Sequence, residues 1–292
     1  IIGKIILKGS IVAIVTPMNQ DETIDFDSFI KLIKFHEDSR TDGIVLVGTT
    51  GESATLSKTE REEIFKFAKS ATNIPLIAGI GSSSTSEACE LADIALKNDI
   101  RDCLAVTPYY NKPSQKGLSL HYEELSKTGA NVILYNVPGR TGVDLLPSTV
   151  LKLTENQNIT GIKEAVNTES RFKDLLAVKA MRPDFLLLSG DDPTFVSFMK
   201  SGADGIISVA ANVMPKQIKK LSDLCFSKKF EEAEAINKKY LNLYELLFTE
   251  ASPSPCKFLL EKMLLLENNL RLPLHPLSEE FKEEIYEAFN KI

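Results

Sequence analysis

The sequence predicts an α/β fold, a (β/α)₈ TIM barrel followed by a C-terminal helical extension. Eight short apolar, β-branched runs alternate with amphipathic stretches of about a dozen residues, the pattern of repeated strand and helix units. The runs cease near residue 212, and only helical patterns follow. A chain of 292 residues with 43% hydrophobic content can bury one such core. We therefore expect a catalytic barrel over residues 1–225 and a C-terminal helical domain over residues 226–292.

Each predicted strand is short and apolar, and most end in or are directly followed by Gly, Thr or Ser, which favour turns. The predicted strands are 10–15, 43–47, 75–79, 103–106, 131–135, 159–163, 185–189 and 204–208. Right-handed crossovers place the loops that follow the strands of a barrel on one common face. Side chains at the carboxyl ends of these strands should therefore share one rim.

Several helix starts are visible between the strands. Ser57 with Glu60, and Ser84 with Glu87, have the spacing of a capping box. Asp192 precedes Pro193, which is typical of an N-cap residue followed by proline in the first turn. We interpret this acidic position as a helix start and not as part of a metal site.

Composition and charge argue against several classes of protein. The net charge of -6, with no stripe of Lys and Arg, argues against a nucleic-acid-binding surface. Lysines interrupt the apolar opening, and no run reaches the roughly 18 apolar residues of a membrane span. Four cysteines lie far apart and form no CxxC pair, so we expect free thiols in a cytoplasmic protein: Cys89, Cys103, Cys225 and Cys256.

The sequence also lacks the usual patterns of metal-binding sites and of nicotinamide-binding motifs. The histidines, His36, His121 and His275, are scattered, and none ends a strand, so we expect no metal site. The segment "AGIGSSS" has Ser84 where a dinucleotide-binding motif would have its third glycine.

The residues at the strand ends suggest carbonyl chemistry. Lys163 ends the sixth strand and Tyr135 the fifth, Arg140 follows the fifth, and Thr49 and Thr50 follow the second. Each has an ordinary structural explanation by itself. Together on one rim, they match a reaction of a carbonyl group on a substrate that carries carboxylates.

The chemistry requires these residue types. A lysine attacks a ketone only as the free amine, and apolar strand ends around Lys163 favour that uncharged form. A hydroxyl such as that of Tyr135, polarised by a threonine, can relay protons without a net charge. Arg140 offers a planar fork for a carboxylate, and backbone N–H groups around Thr49 and Thr50 could hold a second one.

At these residues the chain resembles a known family. The segments "GTTGESATLS", "VTPYYNKPSQ", "YNVPGRTG", "GIKEA", "SGDD" and "GIISVAANV" occur in the order seen in the N-acetylneuraminate lyase family of pyruvate-dependent class I aldolases. The resemblance extends over nearly the whole chain. The segments match most closely the family members that condense pyruvate with L-aspartate-4-semialdehyde to 4-hydroxy-tetrahydrodipicolinate. The resemblance therefore implies this reaction, the first committed step of diaminopimelate and lysine biosynthesis.

The resemblance also implies roles for individual residues. Lys163 would form the imine with pyruvate, Tyr135 would relay protons, and Thr50 would link Tyr135 to Tyr110. In the family this last tyrosine reaches into the neighbouring active site of a homodimer, and two dimers form a homotetramer. Arg140 would guide the aldehyde. No cofactor is implied beyond the covalent imine on Lys163.

Further contacts follow from the same likeness. Thr49 would bind substrate, and Ile207 would direct its backbone carbonyl toward the site beside the lysine. Gly190, in the "SGDD" segment, would also contact substrate.

Three alternatives remain open at this point. An N-acetylneuraminate lyase would share the lysine and tyrosine, but its pattern has Ser-Thr in place of Thr49-Thr50 and lacks an arginine at position 140. A 2-keto-3-deoxy-sugar-acid aldolase is more difficult to distinguish, because some of these aldolases also bind a substrate carboxylate in the way expected of Arg140. A catalytically inactive binding protein on the same fold is not excluded by the fold alone.

The family's lysine-inhibited members suggest a regulatory site behind Tyr109. The candidate allosteric residues in this chain are Ser53, Ala54, Lys58, Ser83, Glu87 and Tyr109. Lys58 stands where a histidine is expected, Arg61 follows where a second may occur, and Ser83 replaces an asparagine. Because a cationic side chain repels a cationic ligand, we expect weak or absent inhibition by L-lysine.

Overall fold

The computed structural model describes residues 7–292, and residues 1–6 of the predicted barrel domain lie outside the described residues. Its strands are β1 (Gly9–Ala13), β2 (Gly43–Leu46), β3 (Leu76–Gly79), β4 (Asp102–Val106), β5 (Asn131–Asn136), β6 (Ile159–Glu164), β7 (Leu186–Ser189) and β8 (Gly205–Ser208). Each strand pairs in parallel with the next, and β8 pairs with β1 to close the barrel. The predicted barrel is confirmed.

Helices surround the strands and continue past the last one. They are α1 (Phe26–Asp38), α2 (Lys58–Ala71), α3 (Thr85–Lys97), α4 (Gln115–Ser126), α5 (Pro138–Thr141), α6 (Pro147–Leu153), α7 (Glu169–Met181), α8 (Phe195–Ser201), α9 (Pro215–Phe226), α10 (Phe230–Lys238), α11 (Leu241–Leu246), α12 (Ser254–Lys262) and α13 (Glu279–Phe289). Helix α9 packs on β1 and α8 and completes the outer ring. It ends one residue beyond the predicted domain boundary, and the division into two domains stays a prediction.

Of the three predicted helix starts, one is confirmed in full, one in part, and one is wrong. Ser57 forms the full capping box with Glu60 at the start of α2. Ser84 caps α3, but the Glu87 carboxylate accepts a hydrogen bond from the Ser82 hydroxyl and does not complete the box. The Asp192 N-cap was wrong: α8 begins later, and the Asp192 carboxylate accepts hydrogen bonds from the Ser208 hydroxyl and from backbone N–H groups after β8.

Two apolar clusters form because side chains alternate across each strand. One fills the barrel interior and includes Ile11, Val45, Ile77 and Ile133. The other fills the layer between the strands and the helices. In β6 this alternation turns the side chain of Lys163 inward and that of Glu164 outward.

The C-terminal segment is tied to the loop between β2 and α2. The Lys257 ammonium in α12 is fully buried and forms an ion pair of 2.5 Å with the Glu52 carboxylate. It also donates to the Asn269 carbonyl oxygen at 2.7 Å. Further along, the Arg271 guanidinium forms an ion pair with Glu60. These contacts make the C-terminal helices part of the support of the barrel's upper rim.

Two further features concern the helices and the cysteines. No helix in the described part of the chain has the length and apolar character needed to cross a membrane. All four cysteines have free thiols.

Candidate active site

Lys163 and Tyr135 are neighbours across two adjacent strands. The register of β5 on β6 places Tyr135 directly opposite Lys163. The Lys163 ammonium nitrogen, Nζ, lies 4.2 Å from the centroid of the Tyr135 ring. Both residues are buried, with 5% and 7% of their surface exposed. A single amine is therefore held in an apolar interior against an aromatic hydroxyl-bearing ring.

These two side chains lie at the base of a cavity of about 260 Å³ at the carboxyl ends of the strands. Six of the predicted catalytic and substrate-binding residues line it: Thr49, Thr50, Tyr135, Arg140, Lys163 and Gly190. Arg140 is exposed at the rim, whereas Thr50 is buried. The cavity thus has an apolar, amine-bearing base and a cationic entrance.

The threonine turn has a strained backbone. Val47 and Glu52, on either side of it, have φ angles of 55° and 58°, in the left-handed region that non-glycine residues rarely adopt. The Glu52 N–H donates to the Thr49 carbonyl oxygen, and the Thr16 hydroxyl donates to the Gly51 carbonyl oxygen. Strain of this kind persists where surrounding contacts hold the chain, and it is common at functional sites.

Gly190 leaves room for the lysine. A Cβ atom at this position would lie 3.0 Å from Cε of Lys163. The Gly190 N–H donates to the Glu164 carbonyl oxygen at 2.7 Å, which fixes the loop after β7 against the end of β6. Any larger residue here would press on the Lys163 side chain.

Two predicted residues are not among those that line the cavity. Ile207 is buried in the apolar cluster of the barrel interior. The Tyr110 side chain lies on the protein surface and is 92% exposed, and its backbone has a φ angle of 74°. A single chain therefore does not bring the Tyr110 hydroxyl into the cavity.

The cavity lining includes an acid and an aromatic residue that were not among the predicted site residues. Asp191 follows Gly190, and its carboxylate accepts hydrogen bonds from the Thr194 N–H and hydroxyl. Phe248 comes from the segment after α11 and is half-exposed. Nothing in the local sequence around Phe248 distinguishes it from a helix-packing residue.

A charged cluster behind β6 was also missed. Glu164 is 1% exposed and accepts hydrogen bonds from Asn136, Arg171 and the Val166 N–H. Burial raises the pKa of Glu164 to about 7, against these hydrogen bonds, which favour the carboxylate. The alternation of β6 was a usable signal, because it turns an acid next to Lys163 into the helix layer, where a charge needs partners.

The candidate allosteric residues gather around Arg61. Its Nη2 donates to the Ser53 carbonyl oxygen at 2.7 Å. Burial lowers the pKa of the Arg61 guanidinium, and the nearby charge of Glu87 and the Tyr109 side chain oppose this shift. The ion pair with Glu90 raises the pKa of Lys58, and the charge of Glu87 adds to this shift.

The other two candidates flank this group. Ala54 is exposed beside Ser53. The Ser83 carbonyl oxygen accepts a hydrogen bond from Asn111.

Residues 7–292 contain no group of three or more His, Cys, Asp or Glu side chains that could hold a metal ion.

Comparison with known proteins places this geometry in a family. The chain matches the model of the dihydrodipicolinate synthetase family over residues 6–292. It is 46% identical over 288 residues to a 4-hydroxy-tetrahydrodipicolinate synthase of Stutzerimonas stutzeri and 44% identical over 285 residues to one of Saccharophagus degradans. The alignments cover 98% of both chains in the first case and 97% in the second.

A solved structure of a dihydrodipicolinate synthase has the same fold as this chain. The chloride-inhibited dihydrodipicolinate synthase of Acinetobacter baumannii, in complex with pyruvate, superimposes with a TM-score of 0.94 at 43% identity, covering 98% of each chain. The fold, the cavity and the matched length lead to one conclusion: this chain belongs to the dihydrodipicolinate synthetase family.

Proposed function

We propose that the chain condenses pyruvate with L-aspartate-4-semialdehyde to give 4-hydroxy-tetrahydrodipicolinate, through an imine on Lys163. The observation that carries this proposal is the buried Lys163 amine over the Tyr135 ring, 4.2 Å from its centroid, at the base of a cavity with an arginine at its rim. Similarity to synthases of that name over nearly the full length supports the choice of reaction.

The first step forms a covalent bond to pyruvate. The Lys163 amine attacks the ketone carbon, and loss of the ketone oxygen as water leaves an imine. The position of Lys163 supports this role, because its side chain is buried and lines the cavity in which pyruvate would bind. The pyruvate carboxylate would accept hydrogen bonds from the threonine turn at Thr49 and Thr50, which lines the same cavity.

Proton transfer then prepares the carbon nucleophile. Loss of a methyl proton from the imine gives an enamine, and its terminal carbon attacks the aldehyde carbon of the second substrate. The Tyr135 hydroxyl relays protons in both steps, with Thr50 as its hydrogen-bonding partner. The substrate's own amino group finally replaces the Lys163 nitrogen at the imine carbon, which closes the ring and frees the enzyme.

Arg140 selects the second substrate. Its exposed guanidinium at the cavity rim can hold a carboxylate through two parallel hydrogen bonds, which a lysine at the same position could not do. L-aspartate-4-semialdehyde carries its carboxylate at the end opposite the reacting aldehyde. The geometry therefore suits a second substrate that binds with its aldehyde toward Lys163 and its carboxylate toward Arg140 at the rim.

The remaining expectations follow from this chemistry. Lys163 supplies the electron sink as an imine, so the reaction requires no metal or organic cofactor. Four free thiols are consistent with a cytoplasmic setting. The outward direction of Tyr110 supports a homodimer, or a homotetramer of two dimers, in which each chain completes its neighbour's site.

Reductive trapping tests the covalent step. We expect borohydride with pyruvate to add the reduced three-carbon acid to the peptide containing Lys163, as shown by mass spectrometry. The Lys163→Ala variant should take up no label. Folded Lys257→Met protein, which lacks another buried lysine, should be labelled like the parent. Label on a different lysine in the parent enzyme would overturn the assignment.

A substrate comparison tests the reaction. Product formation from pyruvate and L-aspartate-4-semialdehyde should exceed cleavage of N-acetylneuraminate and of 2-keto-3-deoxygluconate. A preference for either sugar acid would identify the chain as another class I aldolase, even if the imine on Lys163 is confirmed.

A further inference from the structure

The strand pair that carries the reactive residues also carries a polar pair on its other face. One position beyond Tyr135 and Lys163, the register of β5 on β6 sets Asn136 opposite Glu164. Because side chains alternate along a strand, these two point away from the cavity into the helix layer. Both are buried, with 0% and 1% of their surface exposed.

The two side chains are bonded directly across the strands. The Asn136 amide nitrogen, Nδ2, lies 3.1 Å from each oxygen of the Glu164 carboxylate. It also donates to the Asp144 carboxylate at 2.8 Å, while its own oxygen accepts from the Leu145 N–H at 2.9 Å. All hydrogen-bonding groups of the Asn136 side chain are thus committed to fixing β5.

A guanidinium closes the cluster from the helix layer. Nη1 of Arg171, in the first turn of α7, donates to Glu164 at 3.1 Å and to Asp144 at 3.0 Å. Nη2 donates to Asp144 at 2.6 Å. We call the four residues Asn136, Asp144, Glu164 and Arg171 the strand clamp.

We propose that the strand clamp positions Lys163 against Tyr135, so that Asn136 and Glu164 are positioning residues for imine formation. The clamp joins β5 to β6 through side chains at the register point next to the reactive pair. Glu164 also contacts the loop after the neighbouring strand β7, because its backbone carbonyl oxygen accepts from the Gly190 N–H. The inference rests on the proposed function, since it assigns the geometry of that same lysine.

Stability alone does not require a polar cluster here. The preceding outward pair in the same two strands, Leu134 opposite Ile162, is apolar and fully buried. Buried charges in place of such a pair are often no more stabilising than packed hydrophobic residues, whereas directional hydrogen bonds fix one arrangement. The change from an apolar to a polar pair occurs where the strands reach the reactive side chains, and this is where precise placement affects rate most.

Two conservative variants test the proposal: Asn136→Leu, which removes the cross-strand hydrogen bonds, and Glu164→Gln, which keeps the size of the side chain. We expect kcat and the rate of borohydride-trapped imine formation to fall by about ten-fold or more, with KM for pyruvate changed by less than about three-fold. In crystal structures of the variants, the 4.2 Å separation of Lys163 Nζ from the Tyr135 ring should change.

Asp204→Asn is the matched control. Asp204 is also a buried acid paired with cations, Lys179 at 2.6 Å and Lys8 at 2.8 Å, but it precedes β8 at the opposite end of the barrel. We expect this variant to lose thermal stability while kcat stays within about two-fold of the parent value.

The outcomes separate the two proposals. If the parent forms a pyruvate adduct on Lys163 and both clamp variants keep kcat and the trapping rate within about two-fold, the clamp is refuted and the proposed function stands. A loss of rate in Asp204→Asn equal to that in the clamp variants would also refute it, because general destabilisation would then explain the effect. A parent without any adduct on Lys163 would overturn both.

Discussion

Lys58 and Arg61 put two cationic side chains near Glu87, the acid expected to hold the ammonium group of a bound lysine. Lys58 is exposed and forms an ion pair with Glu90, which reduces the repulsion expected from its charge. Arg61 is 9% exposed, and its Nη1 has no hydrogen-bonding partner within the described chain. The carboxylate of Glu87 already accepts a hydrogen bond from Ser82. We therefore expect this site to attract a cationic ligand only weakly.

We predict that L-lysine inhibits weakly, or not at all, at submillimolar concentration. Lys58→Ala should strengthen any inhibition several-fold, because a cation is removed near Glu87. Lys66→Ala, which changes an exposed lysine elsewhere on α2, serves as the control and should have no effect. Initial-rate measurements across a lysine titration check this. Strong inhibition that disappears in Glu87→Ala would show that Glu87 dominates over both cations.

At the scale of single elements, helix α1 contains a histidine that must be neutral to stay buried. His36 is 0% exposed, and its Nδ1 lies 2.9 Å from the Thr41 hydroxyl oxygen. Burial lowers the pKa of His36 from 6.5 to about 3. A histidine in the unfolded chain binds its proton near pH 6.5, whereas His36 in the folded chain does not bind one until about pH 3. Its contribution to stability is therefore present above pH 6.5 and is lost as pH falls from 6.5 toward 3.

We predict that acidification lowers the free energy of unfolding by up to about 1.4 kcal/mol per pH unit through His36. Denaturant titrations between pH 7 and pH 4 should give a shallower dependence for His36→Gln than for the parent, even though that variant is less stable overall. His275→Gln changes an exposed histidine and should keep the parent's slope. Equal slopes for the parent and His36→Gln would contradict the buried neutral state.

At the scale of the whole molecule, a single chain does not bring together the three residues of the predicted proton relay, Tyr135, Thr50 and Tyr110. Tyr110 extends outward with 92% of its surface exposed, while Thr50, its predicted partner, is buried beside the cavity. A large aromatic residue held in a left-handed conformation on the surface is consistent with a place in an interface. A second copy of the chain would bring its own Tyr110 to this cavity by two-fold symmetry.

Subunit mixing tests the shared site. Lys163→Ala and Tyr110→Ala should each be nearly inactive alone, yet random re-formation of dimers should restore about a quarter of the parent's sites, since each mixed dimer holds one complete site. Analytical ultracentrifugation should show no active monomer at assay concentration. Exchange of subunits without recovered activity would show that Tyr110 does not act in the neighbouring site.

The sequence by itself determined the barrel, the order of its strands and the rim on which Lys163 and Tyr135 meet. These properties depend on hydrophobic periodicity and on the handedness of strand connections, both of which are visible in local sequence. Strand bounds lay within two residues of those observed. The capping box at Ser57 was predictable for the same reason, because its two partners are three residues apart.

Only the tertiary structure decided how those residues are supported. Glu164 finds Asn136 and Arg171 in other elements, and the buried Lys257 reaches Glu52 from the far end of the chain. Asp192 fits the pattern of a helix cap locally, but after folding it binds the turn that follows β8. A buried polar group takes whichever partners packing brings within hydrogen-bonding distance, and those partners come from segments whose proximity no local pattern encodes.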